Sequence, residues 1–548
     1  MLRRTAIARL DSVTFGADST IFASRSVPEL LRSMVVFRTC GLRIIVQNSR
    51  RLLQWSAACL GEHLTYEVLV RKTVFKQFCA GSDEKEIKPS LKVLQKQGVG
   101  PILDYAAEAP VDTTPSATEM TASALEVNLR KLLTAENITY APDDFLDANV
   151  DRFIACLETT KDNMPPSGLG FAAVKITGLC DPQLLARVSA IMLRIRQTWA
   201  EFFIPANKGA APQLEDCRDV CGRSKGVQTK RCDVDDFRAG VKRMCPGLAE
   251  DKVDAIVNFF EEDGTGYVHY FNYTRYLRNA CVDQSYCPPE LEPFYKSIPR
   301  LSKAETELSQ KFDRRIKIIV DRAHKLGVRV MIDAEQSYYQ TAIDAIVRDL
   351  QYKYNRDYPV VYNTYQAYLK FSYKRVSNDL ARAKREGWIF AAKIVRGAYM
   401  ETERKDAKDL GYESPVHDTK ENTHAMYDQI GMRLLEEIEN GNRIGVLFGT
   451  HNVQSLKLLT DRCVDIERKG AGDLDVAFAQ LYGMGDHLTL PLAKAGFKAF
   501  KYVPYGPVKE TVFYLQRRAE ENSEMMTQSA GEWPLLKNEL KRKLFRMK

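Results

Sequence analysis

The chain carries no CxxC pair, and that absence decides how its cysteines are read. Its 12 cysteines sit at irregular spacings, with Cys217, Cys221, Cys232, Cys245, Cys281 and Cys287 crowded into one stretch. Zinc modules and disulfide frameworks space their thiols regularly, so reduced thiols and no metal site are expected. There is no Walker A loop and no HExxH, which removes the phosphate-loop and zincin readings. No recognised nucleic-acid module is present either. The net charge of +8 comes from Lys and Arg interleaved with Asp and Glu along the chain, so no nucleic-acid partner is expected. Finally, no apolar run reaches the roughly 20 residues of a membrane span. The most apolar N-terminal stretch, Met34 to Val46, is too short and is interrupted by Arg38 and Arg43. A helix packed on the core is the expectation there, with peripheral association with a membrane surface as the alternative.

What is present is a chain of 548 residues, 45% apolar and 27% charged, enough for one large domain with appendages. Its first ten residues alternate Arg with apolar and small residues and hold no acid before Asp11, which predicts a mitochondrial presequence over 1–25. From 26 to 96 apolar residues recur at helical spacing, as in Leu30, Leu31, Met34 and Val35, with sparse Gly and Pro. Short apolar runs then follow at Gly100–Ala106, Phe171–Ile176, Val328–Ile332, Pro359–Asn363, Ile389–Val395, Ile444–Phe448, Val476–Leu481 and Phe497–Val503, each trailed by a loop and an amphipathic stretch. Eight such units predict an α/β fold, a (β/α)8 TIM-like barrel over 97–203 and 304–535, although a doubly wound sheet would also alternate strands and helices. The connection over 204–303 is too long for one crossover helix and predicts an inserted helical subdomain. Within it, Glu261 to Asn272 has the outline of an EF-hand loop whose liganding positions are degraded: Glu261 stands at the first, Thr265 at the fifth, and Asn272 replaces the bidentate Glu. A calcium-free EF-hand-like fold is expected. Residues 536–548 read as a basic C-terminal tail.

Each strand candidate ends in polar or Gly-rich residues, where a barrel places its chemistry. The ends are Asp104 and Glu108; Lys175; Asp333 to Glu335; Gln366; Lys393 and Arg396 to Tyr399; Thr450 to Asn452; Gln480 to Gly485; and Tyr502. Any one of them could be a cap or a satisfied loop residue. Together, with Arg517 and Arg518 following, cations outnumber acids, so the rim is expected to bind anions.

The runs Met331-Ile332-Asp333-Ala334-Glu335, Lys393-Ile394-Val395-Arg396-Gly397-Ala398-Tyr399, Gly449-Thr450-His451-Asn452, Gln480-Leu481-Tyr482-Gly483-Met484-Gly485 and Tyr514-Leu515-Gln516-Arg517-Arg518-Ala519-Glu520-Glu521-Asn522 resemble the successive motifs of the proline dehydrogenase family, in that family's order. The helical N-terminal region and the EF-like insertion are similar to its eukaryotic mitochondrial members. The resemblance implies a distorted (β/α)8 barrel holding non-covalent FAD. It implies hydride transfer from C5 of L-proline to flavin N5, release of Δ1-pyrroline-5-carboxylate and electrons passed to ubiquinone. The expected location is the mitochondrial matrix side of the inner membrane, with peripheral association.

Carried over by position, the resemblance assigns Arg517, Arg518 and Lys175 to the proline carboxylate, with Glu108 pairing one of the arginines. Adjacent residues on a helix diverge by about 100°, so both arginines reach one carboxylate only if their helix lies across the barrel mouth. Leu481, Tyr399 and Tyr502 are implied as the wall against the pyrrolidine ring. An Arg517–Glu521 pair four residues apart is the alternative role for that turn. Gln366, Lys393, Arg396, Gly397, Ala398, Thr450, His451, Asn452, Gln480 and Glu521 are implied to line the cofactor, with Asp333 ordering the pocket and placed among the catalytic residues. Lys393 stands where some bacterial members carry Arg, which keeps the charge and loses the planar fork. Two rivals remain open. A hydroxyproline dehydrogenase shares the motifs, and Tyr502 would crowd a ring hydroxyl. A calcium-responsive binding protein would use the EF-like loop and leave the rim idle. The GxGxxA match at Gly168 to Ala173 precedes a strand instead of following one, and His417, Asp418 and His424 read as solvated residues, so neither is taken as a site.

Overall fold

The computed structural model describes residues 13–15, 21–106, 142–165, 167–203, 231–261, 264–283, 288–409, 413–470, 474–526 and 532–545. Ten strands appear among them: β1 (Gly100–Tyr105), β2 (Phe171–Val174), β3 (Arg231–Asp233), β4 (Tyr267–His269), β5 (Arg329–Ile332), β6 (Val361–Gln366), β7 (Phe390–Val395), β8 (Ile444–Gly449), β9 (Val476–Leu481) and β10 (Lys498–Tyr505). Eight form a closed parallel barrel in the order β1, β2, β5, β6, β7, β8, β9, β10, with β10 returning to β1. A doubly wound sheet has two open edges and would leave β1 and β10 apart; here Ile102 pairs with Tyr502 and Gly100 with Phe500. The fold is the expected (β/α)8 barrel.

Near-continuous burial of these strands follows from helices outside and packed side chains inside. Ile102, Phe171, Met331, Tyr362, Leu447 and Phe500 fill the centre. Gly100 is fixed by that filling, because a Cβ there would sit 2.3 Å from the Phe500 ring. At the amino ends of the strands Arg329 donates to the Tyr362 hydroxyl at 2.6 Å and pairs with Asp475, closing that end with stability rather than chemistry.

The insertion leaves the barrel after the helix Pro182–Phe203 and returns at Lys303–Leu326. A capping box starts the return helix: Ser302 N–H donates to Glu305 at 2.7 Å, and Glu305 N–H donates to Ser302 Oγ at 3.3 Å. Inside the insertion β3 and β4 pair antiparallel, and Phe237, Phe260 and Tyr273 pack on Trp199 and Phe203 of the barrel helix. Glu261 turns its carboxylate onto the Gly266 N–H at 2.7 Å, and Asn272 is buried in the following helix. Among the described residues no three His, Cys, Asp or Glu side chains gather as a metal site would need.

The two ends of the chain differ from their expected outlines. Ile21 and Phe22, inside the stretch read as a leader, are 6% and 1% exposed. Arg25 pairs with Asp486, which Lys501 also contacts at 2.9 Å. The expected basic tail begins within a helix, Trp533–Leu544, whose Leu536 is fully buried while Lys537 and Lys541 face outward. In both segments a few apolar residues at the right spacing outweigh a basic composition. Burying Phe22 and Ile21 is worth about 3 kcal/mol or more. Deletion of residues 1–25 is therefore expected to lower the thermal midpoint by several degrees relative to deletion of 1–20. Equal midpoints would return 21–25 to the leader.

Candidate active site

The carboxyl ends of the strands converge on Asp333, the residue after β5. Its N–H donates to the Val174 carbonyl at 3.0 Å, continuing the ladder toward β2. One carboxylate oxygen accepts from Lys393 of β7, and the other accepts from the Tyr502 hydroxyl of β10 at 2.7 Å. Burial by itself would raise this carboxyl; Lys393, Lys175 and the two hydrogen bonds outweigh it, and Asp333 lies below its ordinary range. The same burial, with Asp104 and Asp333 nearby, raises Tyr502 well above the ordinary phenol, so it stays a donor. Lys175, after β2, donates to Asp104 of β1 at 2.8 Å, where both side chains are buried or nearly so. Thus β1, β2, β5, β7 and β10 share one charge cluster at the mouth.

On the opposite side the loops after β7, β8 and β9 build a second cluster. Arg396 is mostly buried and donates to His424 Nδ1 at 2.8 Å, to Ser455 Oγ at 2.8 Å and to Thr450 Oγ1, over the Tyr427 ring at 4.3 Å. Every one of these acceptors is neutral. Gly397 adopts φ 122°, and a Cβ there would fall 1.7 Å from the Tyr368 ring, so only glycine turns the chain here. Ala398 is exposed in the same loop. Asn452 caps the helix Val453–Arg468 through Ser455 N–H at 2.9 Å. Gln480 donates to the Thr450 carbonyl at 3.1 Å and accepts from Thr489 at 2.7 Å. Gln366, at the end of β6, donates to the Glu335 carbonyl at 2.9 Å.

His451 lies between these loops. Its Nε2 accepts from the Leu481 N–H at 3.0 Å, which places the ring proton on Nδ1. Nδ1 is buried without a hydrogen-bond partner, and the glycine at 485 leaves room beside it, since a Cβ there would come within 2.7 Å. Burial, and then Lys501, His487, Arg518 and Arg396, hold this imidazole well below its ordinary value, so it is neutral. A buried donor awaiting an acceptor, beside a buried cation held only by neutral groups, fits a flat cofactor carrying carbonyls and phosphates.

The helix Val512–Met526 lies against Val27–Cys40 and carries Tyr514 and Leu515 into the same apolar cluster as Phe78 and Met484. Arg518, 6% exposed, donates to Glu521 at 2.6 Å and sits 4.9 Å from the Tyr514 ring centre. Burial opposes its charge, yet Glu521, Tyr514 and Tyr502 raise it against neighbouring Arg517. Arg517 lies 5.9 Å from the ring of Tyr399, which precedes the helix Met400–Asp409. On this turn Arg518 pairs with Glu521, three residues on. Leu481 ends β9 and pairs across to Tyr502. Glu108 lies outside the described residues. Asp104, which the sequence offered only as a strand end, is the partner of Lys175, and its placement inside an apolar run was the available signal. Lys501 was missed altogether: nearly buried, it donates to the carbonyls of Leu481 at 3.2 Å and Met484 at 2.5 Å and so fixes the loop after β9.

Residues 250–530 match the family model described as proline dehydrogenase. A Homo sapiens protein named mitochondrial proline dehydrogenase 1 is 31% identical over 97% of this chain and 90% of its own length. The chain belongs to the proline dehydrogenase family. Among its relatives, a Xenopus laevis protein named hydroxyproline dehydrogenase is 28% identical over 98% of this chain and 92% of its own length. A crystal structure of proline utilization A (PutA) from Bdellovibrio bacteriovorus, inactivated by N-propargylglycine, matches in fold alone, with a TM-score of 0.50 at 15% identity over 95% of this chain and 40% of that one. For this member of the proline dehydrogenase family, the rim electrostatics set a pH dependence. The unfolded chain protonates His451 below about pH 6.5, whereas the folded state keeps it neutral, so stability falls as pH drops from 7 to 5, by at most about 1.4 kcal/mol per unit. His417 and His424 are depressed in the same direction, mainly by burial. Asp333 is also depressed and so has the same sign in a lower window; its contribution is present above the unfolded carboxylate value and is lost only in stronger acid. Denaturation midpoints across pH 5 to 7 should therefore slope less for His451→Gln than for wild type. Parallel slopes would mean that His451 is protonated in the folded state.

Proposed function

We propose that this oxidoreductase is an FAD-dependent L-proline dehydrogenase of mitochondria that passes its electrons to ubiquinone. The observation carrying the reading is the ring of buried and partly buried cations at the barrel mouth, Lys175, Lys393, Arg396 and Arg518, set against the hydroxyl of Tyr502. Arg396, His451 and Gln366 would hold FAD, with Lys393 over the reactive ring, Gly397, Ala398, Thr450 and Gln480 shaping the loops around it, and Asn452 and Glu521 fixing the neighbouring helices. Bound there, the cofactor supplies the two-electron acceptor for the hydride leaving C5 of proline. The remaining work falls to the chain. Arg517, Arg518 and Lys175 bind the proline carboxylate, and Glu108 is proposed to pair one of the arginines, as the family resemblance implies. Tyr502, immobilised by Asp333, presses the pyrrolidine ring from one side, and Leu481 and Tyr399 exclude water from the others. Loss of hydride from C5 and a proton from nitrogen leaves a C5–N double bond, the product Δ1-pyrroline-5-carboxylate. The names of the relatives and the basic N-terminal residues favour the mitochondrion, on the matrix side of the inner membrane with peripheral attachment.

Arg517→Met and Arg518→Met are each expected to raise the KM for proline by about 10-fold to 100-fold, the loss of one charge-assisted pair, while the flavin absorption of the purified protein stays intact. Loss of flavin from either variant would place the helix against the cofactor instead. Colourless protein that takes up no FAD would end the enzyme reading and favour the calcium-binding one.

The hydroxyproline reading has one observation behind it, the Xenopus laevis relative, and one against it, the fixed Tyr502 hydroxyl where a ring substituent would project. Wild type should turn over L-proline with a kcat/KM at least about tenfold above trans-4-hydroxy-L-proline, and Tyr502→Ser should narrow that ratio. A preference for hydroxyproline in the wild type would reverse the assignment.

A further inference from the structure

From Leu30 to Gly61 the chain contains no Asp or Glu, and it holds Arg32, Arg38, Arg43, Arg50 and Arg51. That stretch forms the helix Val27–Cys40, a short turn of helix and the helix Ser49–Leu60. Its inner side is accounted for: Leu30, Phe37 and Cys40 are buried with Phe78, Leu515 and Leu536. Its outer side is apolar as well. Val35, Leu42, Ile44, Leu52, Trp55 and Leu60 are between 44% and 77% exposed. A surface helix ordinarily turns charged residues outward, and a concentration of exposed large apolar side chains of this kind marks a face that meets something other than water. The helix Trp533–Leu544 packs on Val27–Cys40, Lys543 donates to the Ala23 carbonyl at 2.8 Å, and Leu544 and Phe545 beyond it are 57% and 70% exposed beside exposed Lys541 and Arg542.

We propose that this face docks the protein onto an anionic lipid surface, with Ile44 and Trp55 entering the headgroup region and the exposed Arg38 and Arg51 meeting lipid phosphates. The proposal deepens, and rests on, the membrane-linked reading given above. Charge decides between lipid and a second copy. A two-fold contact would set Arg38 and Arg51, in a stretch without Asp or Glu, against their own copies, whereas lipid phosphates neutralise them. Trp and Arg flanking aliphatic residues is also the composition of a segment lying in a bilayer interface. Among the described residues no helix is long and apolar enough to cross a membrane, so the face lies on the surface. Its position is suited to a lipid-borne electron acceptor. Ser33, on the inner side of the same helix, donates to Gln77 at 2.9 Å, and Gln77 donates to the Gly483 carbonyl at 2.6 Å in the loop following Leu481. One layer of helix therefore separates the docked face from the barrel mouth.

The test is flotation of the full chain with vesicles of phosphatidylcholine alone and with about 30 mol % cardiolipin added, the anionic fraction supplying the charge that basic faces read. Wild type should float with the anionic vesicles, weakly with the neutral ones, and less as salt is raised. The double variant Ile44→Asp, Trp55→Asp should lose about tenfold or more in vesicle affinity. Its proline turnover with a soluble dye acceptor should stay within about twofold, since both side chains are exposed on the outer side of that helical layer. Wild type that floats with neither vesicle, or a double variant that binds as wild type does, would overturn the proposal. So would a wild-type dimer that the double variant splits while vesicle binding is absent, which would make the face a contact between copies. Flotation is read without quinone, so failure of the quinone assignment would leave its result standing.

Discussion

The carboxylate of Asp333 is the constraint around which the mouth of the barrel is organised. A buried carboxylate is tolerated only with its oxygens paired, and the partners here come from β7 and β10, on opposite sides of the chain order. Satisfying it fixes the rotamer of Lys393 and the tilt of Tyr502 together. Because Tyr502 also packs into the barrel centre beside Ile102 and Phe500, the phenol joins the apolar interior to the charged rim. Substitution of any member would leave another buried polar group unpaired, at a cost of about 3 to 5 kcal/mol for a charge.

Much of the barrel was legible because its strands are short apolar runs buried on both faces, and all eight recur in the structure with ends shifted by up to three residues. The largest shift is instructive. The fourth barrel strand, β6, was expected to stop at Asn363, but it runs on through Thr364 to Gln366. Each of those polar side chains is buried and satisfied internally: Asn363 donates to Asp344, Thr364 to the Ile332 carbonyl and Gln366 to the Glu335 carbonyl. Composition cannot distinguish a solvated amide from one that has found a partner across the sheet. The same limit explains Lys501 and Asp104, whose hydrogen-bond partners lie 17 and 71 residues away. Residues 21–25 meet the same limit: Arg25 looks like leader composition until Asp486 is placed beside it.

The cations of the rim fall into two kinds. Lys175, Lys393 and Arg518 already face carboxylates of Asp104, Asp333 and Glu521, so their charge is compensated before any ligand arrives. An incoming carboxylate must share them, which favours binding by reorientation over binding by bare attraction, and Arg is suited to this because its fork can hold two acceptors at once. Glu521 is half-buried and on the same helical turn as Arg518, so the pair can loosen with little strain elsewhere.

Arg396 is the other kind. It is buried, its hydrogen bonds run to a threonine, a serine and a neutral imidazole, and burial lowers its pKa in spite of Tyr427 and Asp428 nearby. Holding a guanidinium under those conditions costs stability that the fold does not recover from the groups touching it. The neighbouring His451 repeats the pattern, a ring N–H enclosed without an acceptor. An uncompensated charge beside an unsatisfied donor costs more than a folded rim needs for its own sake, and an anionic, acceptor-rich cofactor would repay both. The stability of this side of the barrel would then depend on its occupancy.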